Sequence, residues 1–176
     1  FFFTRDGYFK KITPQSLRMS GQQKLKDGDE ITQVIESTNA AELLFFSNRG
    51  QVYKAKAADF SETKASVLGD YVPSKLEFDE NENAIFMVET ADYSGSVVFV
   101  FDNGRIARVP LSSYATKTNR KKLIKAYCEK YTLHTILFIK DESDILLKSS
   151  NGRMLIVNTA AIPAKTTKDN GGIAVM

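Results

Sequence analysis

The chain has 176 residues, enough for one domain with its own hydrophobic core. Its apolar fraction of 43% excludes global disorder, while a net charge of +3 leaves any nucleic-acid role to the distribution of the cations. The single cysteine, Cys128, excludes an intrachain disulfide and a cysteine-built metal site, and no apolar run approaches the ~20 residues that span a bilayer.

Twelve Phe and seven Tyr without a Trp suit a strand-rich interior. Phe1 to Phe3 and Tyr8 to Ile12 predict a hairpin around Arg5-Asp6-Gly7, because Asp-Gly supplies the positive φ of a tight turn. Pro14 takes the chain out of the sheet, since it cannot donate to an inner ladder. The stretch Arg18 to Lys26 is basic and irregular, Asp27-Gly28-Asp29-Glu30 is a turn, and Ile31 to Glu36 is a third strand.

The plan then repeats. Leu43 to Lys56 predicts a second hairpin around Gly50, followed by a polar loop holding Lys64. Val67 to Val72 resembles a strand with a Gly break, and Ile85 to Thr90 is the counterpart of Ile31 to Glu36. Between them Glu77, Asp79, Glu80 and Glu82 make an acidic loop. The third hairpin, Val97 to Val109, turns at Gly104 and leads to Lys117, Arg120, Lys121, Lys122 and Lys125, five cations within nine positions. Leu123 to Tyr127 fits a short helical turn or a strand, and Leu133 to Ile139 is again a third strand. The fourth hairpin, Ile145 to Val157, turns at Gly152 and leads to Lys165 and Lys168. The chain starts at Phe1 and ends at Met176 inside strand patterns, so a piece of a longer protein is expected.

The turn glycines Gly7, Gly50, Gly104 and Gly152 lie 43, 54 and 48 residues apart. A period of roughly 40–50 residues marks propellers and related arrays, in which each unit supplies about four short strands and neighbouring units complete the core. The expected repeat units are 1–42, 43–94, 95–143 and 144–176 of one domain.

No nucleophile elbow, P-loop or metal-ligand cluster is visible, so no catalytic site and no cofactor are expected. His134 lies in an apolar strand pattern without an acid or thiol in sequence reach and reads as structural, as does Cys128. Tyr8, Tyr53 and Tyr114 stand near basic loops and read as packing residues. The informative residues are the cations, which recur at equivalent points of successive units: Arg18, Lys24 and Lys26, then Lys64, then Lys117 to Lys125, then Lys165 and Lys168. Placed on one rim, they suit the evenly spaced phosphates of a bent duplex and give affinity without sequence readout. Ser20, Thr116, Thr118, Asn119, Thr166 and Thr167 beside them supply further hydrogen-bond donors. The bland alternative is a solvated charged surface.

The cycle Leu43-Leu44-Phe45-Phe46-Ser47-Asn48-Arg49-Gly50-Gln51-Val52-Tyr53-Lys54, the Gly-containing basic loop, Ile31-Thr32-Gln33-Val34-Ile35 and the closing Thr166 to Met176 resemble the C-terminal domain of the DNA gyrase A subunit and of the related topoisomerase IV subunit. The resemblance covers essentially the whole chain. It implies an all-β fold, a β-pinwheel of about four blades of four-stranded antiparallel sheet with strands shared between neighbours, as an open or partial ring. It also implies a non-catalytic domain that binds and wraps duplex DNA for an ATP-dependent type IIA topoisomerase. The implied partners are double-stranded DNA, the catalytic core of the same chain and the ATPase subunit, in the bacterial cytoplasm on the nucleoid, with no membrane and no small-molecule substrate. Ser20-Gly21-Gln22-Gln23-Lys24 occupies a loop comparable to the Gly- and Arg-rich box of gyrase but lacks its paired cations. That departure shifts weight toward a topoisomerase IV-like subunit, or toward a gyrase piece without that blade. A propeller serving only protein–protein contacts is the alternative of a different class.

Overall fold

The computed structural model describes residues 1–176, and its regular secondary structure is mostly short antiparallel strands. The first repeat supplies β1 (Phe2–Thr4), β2 (Tyr8–Lys10), the short helix α1 (Pro14–Met19) and β3 (Ile31–Val34). Thr13 caps α1 by accepting from the Ser16 amide, and Pro14 at the helix start costs no hydrogen bond there. The second repeat supplies β4 (Glu42–Ser47), β5 (Val52–Lys56), β6 (Asp70–Tyr71), the one-turn helix α2 (Val72–Lys75) and β7 (Ala84–Thr90). The third supplies β8 (Ser96–Phe101), β9 (Arg105–Pro110), β10 (Lys122–Leu123) and β11 (Leu133–Ile139), and the fourth β12 (Asp144–Lys148), β13 (Met154–Asn158) and β14 (Ile173–Ala174). No helix is long and apolar enough to cross a membrane.

Sheet orders show how the repeats are joined. They are β3-β1-β2-β6, β7-β4-β5-β10, β11-β8-β9-β14 and a two-stranded β12-β13. Each four-stranded sheet therefore takes its outer strand from the next repeat in sequence, as the pinwheel resemblance implied. Three sheets match the expected four strands and the last has two. All four turn glycines take the positive φ the hairpins require, from +64° at Gly50 to +89° at Gly7.

Two expectations need correction. The strand expected over Val67 to Val72 is only Asp70–Tyr71, because Pro73 favours the first turn of a helix and α2 begins at Val72. Of Leu123 to Tyr127 only Leu123 is in a strand, paired with Val52. These outer strands enter through tight points: Gly172, at φ +65°, lies so close to β9 that a Cβ there would run into the Ile106 carbonyl oxygen.

The chain divides into two compact units, Phe1–Ala91 with Arg120–Leu123, and Asp92–Asn119 with Ile124–Met176. The first is centred on Phe3, Phe9, Phe45, Phe60 and Met87, with the Phe9 and Phe60 rings 4.6 Å apart. The second buries Val98, Val100, Ile106 and Ile162, with Leu137, Ile145 and Val157 packed against them. Central strands read as continuous apolar runs because both faces are covered: all six residues of β8 are buried.

Candidate nucleic-acid interface

Every cation singled out in the sequence reaches the surface. Arg18, Lys24, Lys26, Lys64, Lys117, Arg120, Lys121, Lys122, Lys125 and Lys165 are exposed, and Lys168 is half-buried. Lys64, the stretch Lys117 to Lys121, and Lys165 with Lys168 each lie in the segment leading into an outer strand, β6, β10 and β14 respectively. Their equivalence therefore has a structural basis: each follows the inner hairpin of its own repeat and precedes the strand donated to the sheet before.

In the first unit a buried lysine that sequence reasoning missed joins two of these loops. Lys10, fully buried, donates from Nζ to the carbonyl of Lys24 at 3.3 Å and to that of Ala65 at 3.0 Å. The Lys24 amide also donates to Ala65 O at 2.7 Å. Burial pushes the Lys10 ammonium below its ordinary pKa. Nothing in Tyr8-Phe9-Lys10-Lys11 marks Lys10 as internal, because its partners are carbonyls far along the chain. Its neighbour Lys11 is likewise structural, donating to Asn39 Oδ1 and Ala57 O, both at 2.9 Å.

Not all the surface cations stand alone. Lys26 lies 3.5 Å from the Asp6 carboxylate. Lys122 donates to Asp79 Oδ2 at 2.6 Å, and its ammonium sits 5.7 Å from the centre of the Tyr53 ring. Gln51 Nε2 donates to the same Asp79 oxygen at 3.0 Å. The hydrogen bonds from Lys122 and Gln51 hold the Asp79 carboxyl below the usual carboxylate range. Behind this pair, the Tyr53 hydroxyl donates to buried Glu82 at 2.6 Å, and burial followed by that hydrogen bond raises the phenol's pKa. The acidic loop is thus split: Asp79 and Glu82 engage Lys122 and Tyr53, while Glu77 and Glu80 face solvent.

In the second unit Lys117 follows Thr116, whose hydroxyl donates to Thr118 O at 2.8 Å. The Lys165 amide donates to Arg108 O at 3.0 Å, which pins the fourth basic loop to β9. Arg105 donates to the carbonyls of Gly171 and Gly172 at 2.9 and 2.6 Å, fixing the entry to β14. Arg108 forks onto Glu142 at 2.8 and 3.0 Å and keeps that carboxyl below its usual range. These two arginines hold backbone and a carboxylate and are structural.

Tyr114 is buried and donates to Ala126 O at 2.6 Å, Tyr53 is buried, and Tyr8 packs on Tyr71 with ring centres 5.2 Å apart. Cys128 is buried. His134 lies on β11 as expected, but its ring is exposed and sits 3.0 Å from the Asp102 carboxylate, an acid 32 residues away.

The family model described as DNA gyrase C-terminal domain, beta-propeller, matches residues 1–36 and 41–66. The gyrase A subunit of Streptomyces coelicolor is 29% identical over 120 residues, covering 63% of this chain and 14% of that protein. The topoisomerase 4 A subunit of Streptococcus pyogenes is 26% identical over 176 residues, covering 96% of this chain and 21% of that protein. The chain therefore spans about a fifth or less of the length of these relatives. A crystal structure of the C-terminal domain of DNA topoisomerase IV superposes with a TM-score of 0.80 at 21% identity, covering 98% of this chain and 55% of the other. With its outer-strand exchange and its periodic hairpins, the chain is similar in sequence and in fold to the C-terminal domains of the gyrase A and topoisomerase IV A subunits.

Proposed function

We propose that this chain is a non-catalytic duplex DNA-binding and bending domain of a bacterial type IIA topoisomerase A subunit. In that role it acts in the cytoplasm on the nucleoid, presenting DNA segments to a catalytic core in the same polypeptide and working with the ATPase subunit. The observation that carries the proposal is the recurrence of exposed lysine and arginine in the segments that enter successive outer strands. A ligand with evenly spaced negative charge suits cations that recur from repeat to repeat, and phosphate contacts of this kind position a duplex without reading its sequence. Bending a site of ~20–30 bp costs on the order of 1–6 kcal/mol, so several such contacts must act together.

A gel-shift titration in salt tests this reading. Duplexes of unrelated sequence should bind with similar affinity, and log Kd should rise linearly with log salt, by about 0.9 per phosphate neutralised. Absence of a shifted complex even at low salt would instead favour a module for protein–protein contacts.

A further inference from the structure

Each basic loop also carries an exposed apolar side chain close to its cations. Met19 follows Arg18, Val67 lies three residues after Lys64, Ile124 precedes Lys125, and Pro163 lies two residues before Lys165. Phosphate contacts have no use for them. Isolated apolar residues on a surface need no explanation, but one beside the cations of each of the four repeats is a pattern. Met19 is the most exposed at 83%, yet its helix buries no residue and gives it no rigid base.

Ile124 differs in this respect. Its side chain is 66% exposed, while the three residues after Lys125 are buried: Ala126, Tyr127 and Cys128. The Ala126 carbonyl accepts the Tyr114 hydroxyl at 2.6 Å, and the Tyr127 ring stacks on Phe99 of β8 at 5.2 Å. Lys125 takes φ +51°, a left-handed conformation that disfavours a side chain other than glycine or asparagine and persists only where its surroundings enforce it. The Ile124–Lys125 pair is thus an apolar and a cationic side chain held out together on a braced tip. From Lys117 to Lys130 the only acid is Glu129.

From this geometry we infer that Ile124 is a wedge that enters the minor groove and partly unstacks one base step of bound duplex DNA, with Lys125 on the adjacent phosphate. The inference rests on the proposed DNA binding. Apolar side chains inserted between base steps kink a duplex by tens of degrees, and a kink at the site concentrates bending that would otherwise be elastic. Flexible pyrimidine–purine steps are the cheapest to open, so the wedge adds a weak preference for TA and CA steps to an otherwise sequence-tolerant contact.

The test uses the 176-residue chain and duplexes of about 30 bp carrying 2-aminopurine at a central TA step, with donor and acceptor dyes on the ends. Saturating wild-type protein should raise 2-aminopurine fluorescence about two- to fivefold as the base unstacks, and should shorten the end-to-end distance. Ile124→Ala should return the fluorescence to that of free duplex and reduce the bend in the bound complex, while Ile124→Leu retains both. Lys125→Ala should weaken binding but leave the fluorescence of the bound complex high. Because Ile124 is exposed, its variants should melt with the wild type, and a thermal scan checks this. If wild type binds and bends but Ile124→Ala gives the same fluorescence and distance, the wedge is overturned and DNA binding stands. If Ile124→Ala instead abolishes a concentration-dependent self-association, Ile124 serves a second copy of the chain and the wedge is likewise overturned. If wild type binds no duplex at low salt, the DNA-binding reading itself fails.

Discussion

The hairpins β4–β5 and β12–β13 come from the same repeated pattern and end in different environments. Five of the six residues of β4 are buried, whereas β12 and β13 alternate between exposed and half-buried, leaving Leu146 and Ile156 62% and 67% exposed. The difference lies in the neighbours. The β4–β5 pair has β7 on one edge and β10 on the other, while β12–β13 is a sheet of two strands. A hairpin's local sequence sets its turn and register. Its burial is set by the third strand and by the outer strand donated from the next repeat.

Substitutions in the two hairpins should separate most widely. Phe45→Ala removes a fully buried ring lying 5.8 Å from Phe3 and 5.9 Å from Phe9, and is expected to cost about 3–5 kcal/mol in urea unfolding. Ile156→Ala, on the exposed pair, should stay within about 0.5 kcal/mol. Equal costs at the two positions would remove the basis of the contrast.

A smaller separation is expected between two glycines. Gly172→Ala must push against the Ile106 carbonyl as well as adopt φ +65°, so a loss of about 1–3 kcal/mol is expected, with faster amide exchange along β9. Gly152→Ala at φ +83° meets open space and should cost only about 1 kcal/mol, from the left-handed backbone alone. Hydrogen exchange that is unchanged in Gly172→Ala would show that the donated strand does not depend on this close approach.

The hairpins, their turn glycines and their repeat were legible in the sequence because each is a local signal: an apolar run, a Gly that takes positive φ, another apolar run. The outer strands were harder to read. Asp70–Tyr71, Lys122–Leu123 and Ile173–Ala174 are two residues long and pair with partners more than sixty residues away, so no periodicity develops. The cation loops were legible as charge clusters. Lys10 was not, because a lysine buried against the carbonyls of Lys24 and Ala65 looks in sequence like any strand lysine. The Asp79–Lys122 pair was hidden for a related reason: an acidic loop and a basic loop 43 residues apart meet only once β10 has joined β5.

The smallest effects concern that ion pair. Asp79 and Glu142 both have carboxyls held below the ordinary range, by hydrogen bonds from Lys122 and Gln51 and from Arg108 and Thr159 respectively. Each therefore contributes stability that is present above the unfolded-chain pKa and is lost as pH falls through the lowered folded value. Asp79→Asn and Glu142→Gln should flatten the acid limb of a melting-temperature profile and change little near neutrality. An acid limb identical to wild type in both variants would show that neither pairing persists in solution. Asp79→Asn should also free Lys122 for phosphate, tightening duplex binding about two- to threefold and steepening the salt dependence by up to about one unit.

The most direct measurement is the salt dependence of duplex binding by the double charge reversal Arg120→Glu with Lys121→Glu. Both side chains are exposed beside the outer strand β10, so the fold should tolerate the change. A loss of affinity of about tenfold or more is expected, with a log–log salt slope shallower by about two and no dependence on DNA sequence. Wild-type affinity with an unaltered slope would contradict a phosphate-binding role for this loop.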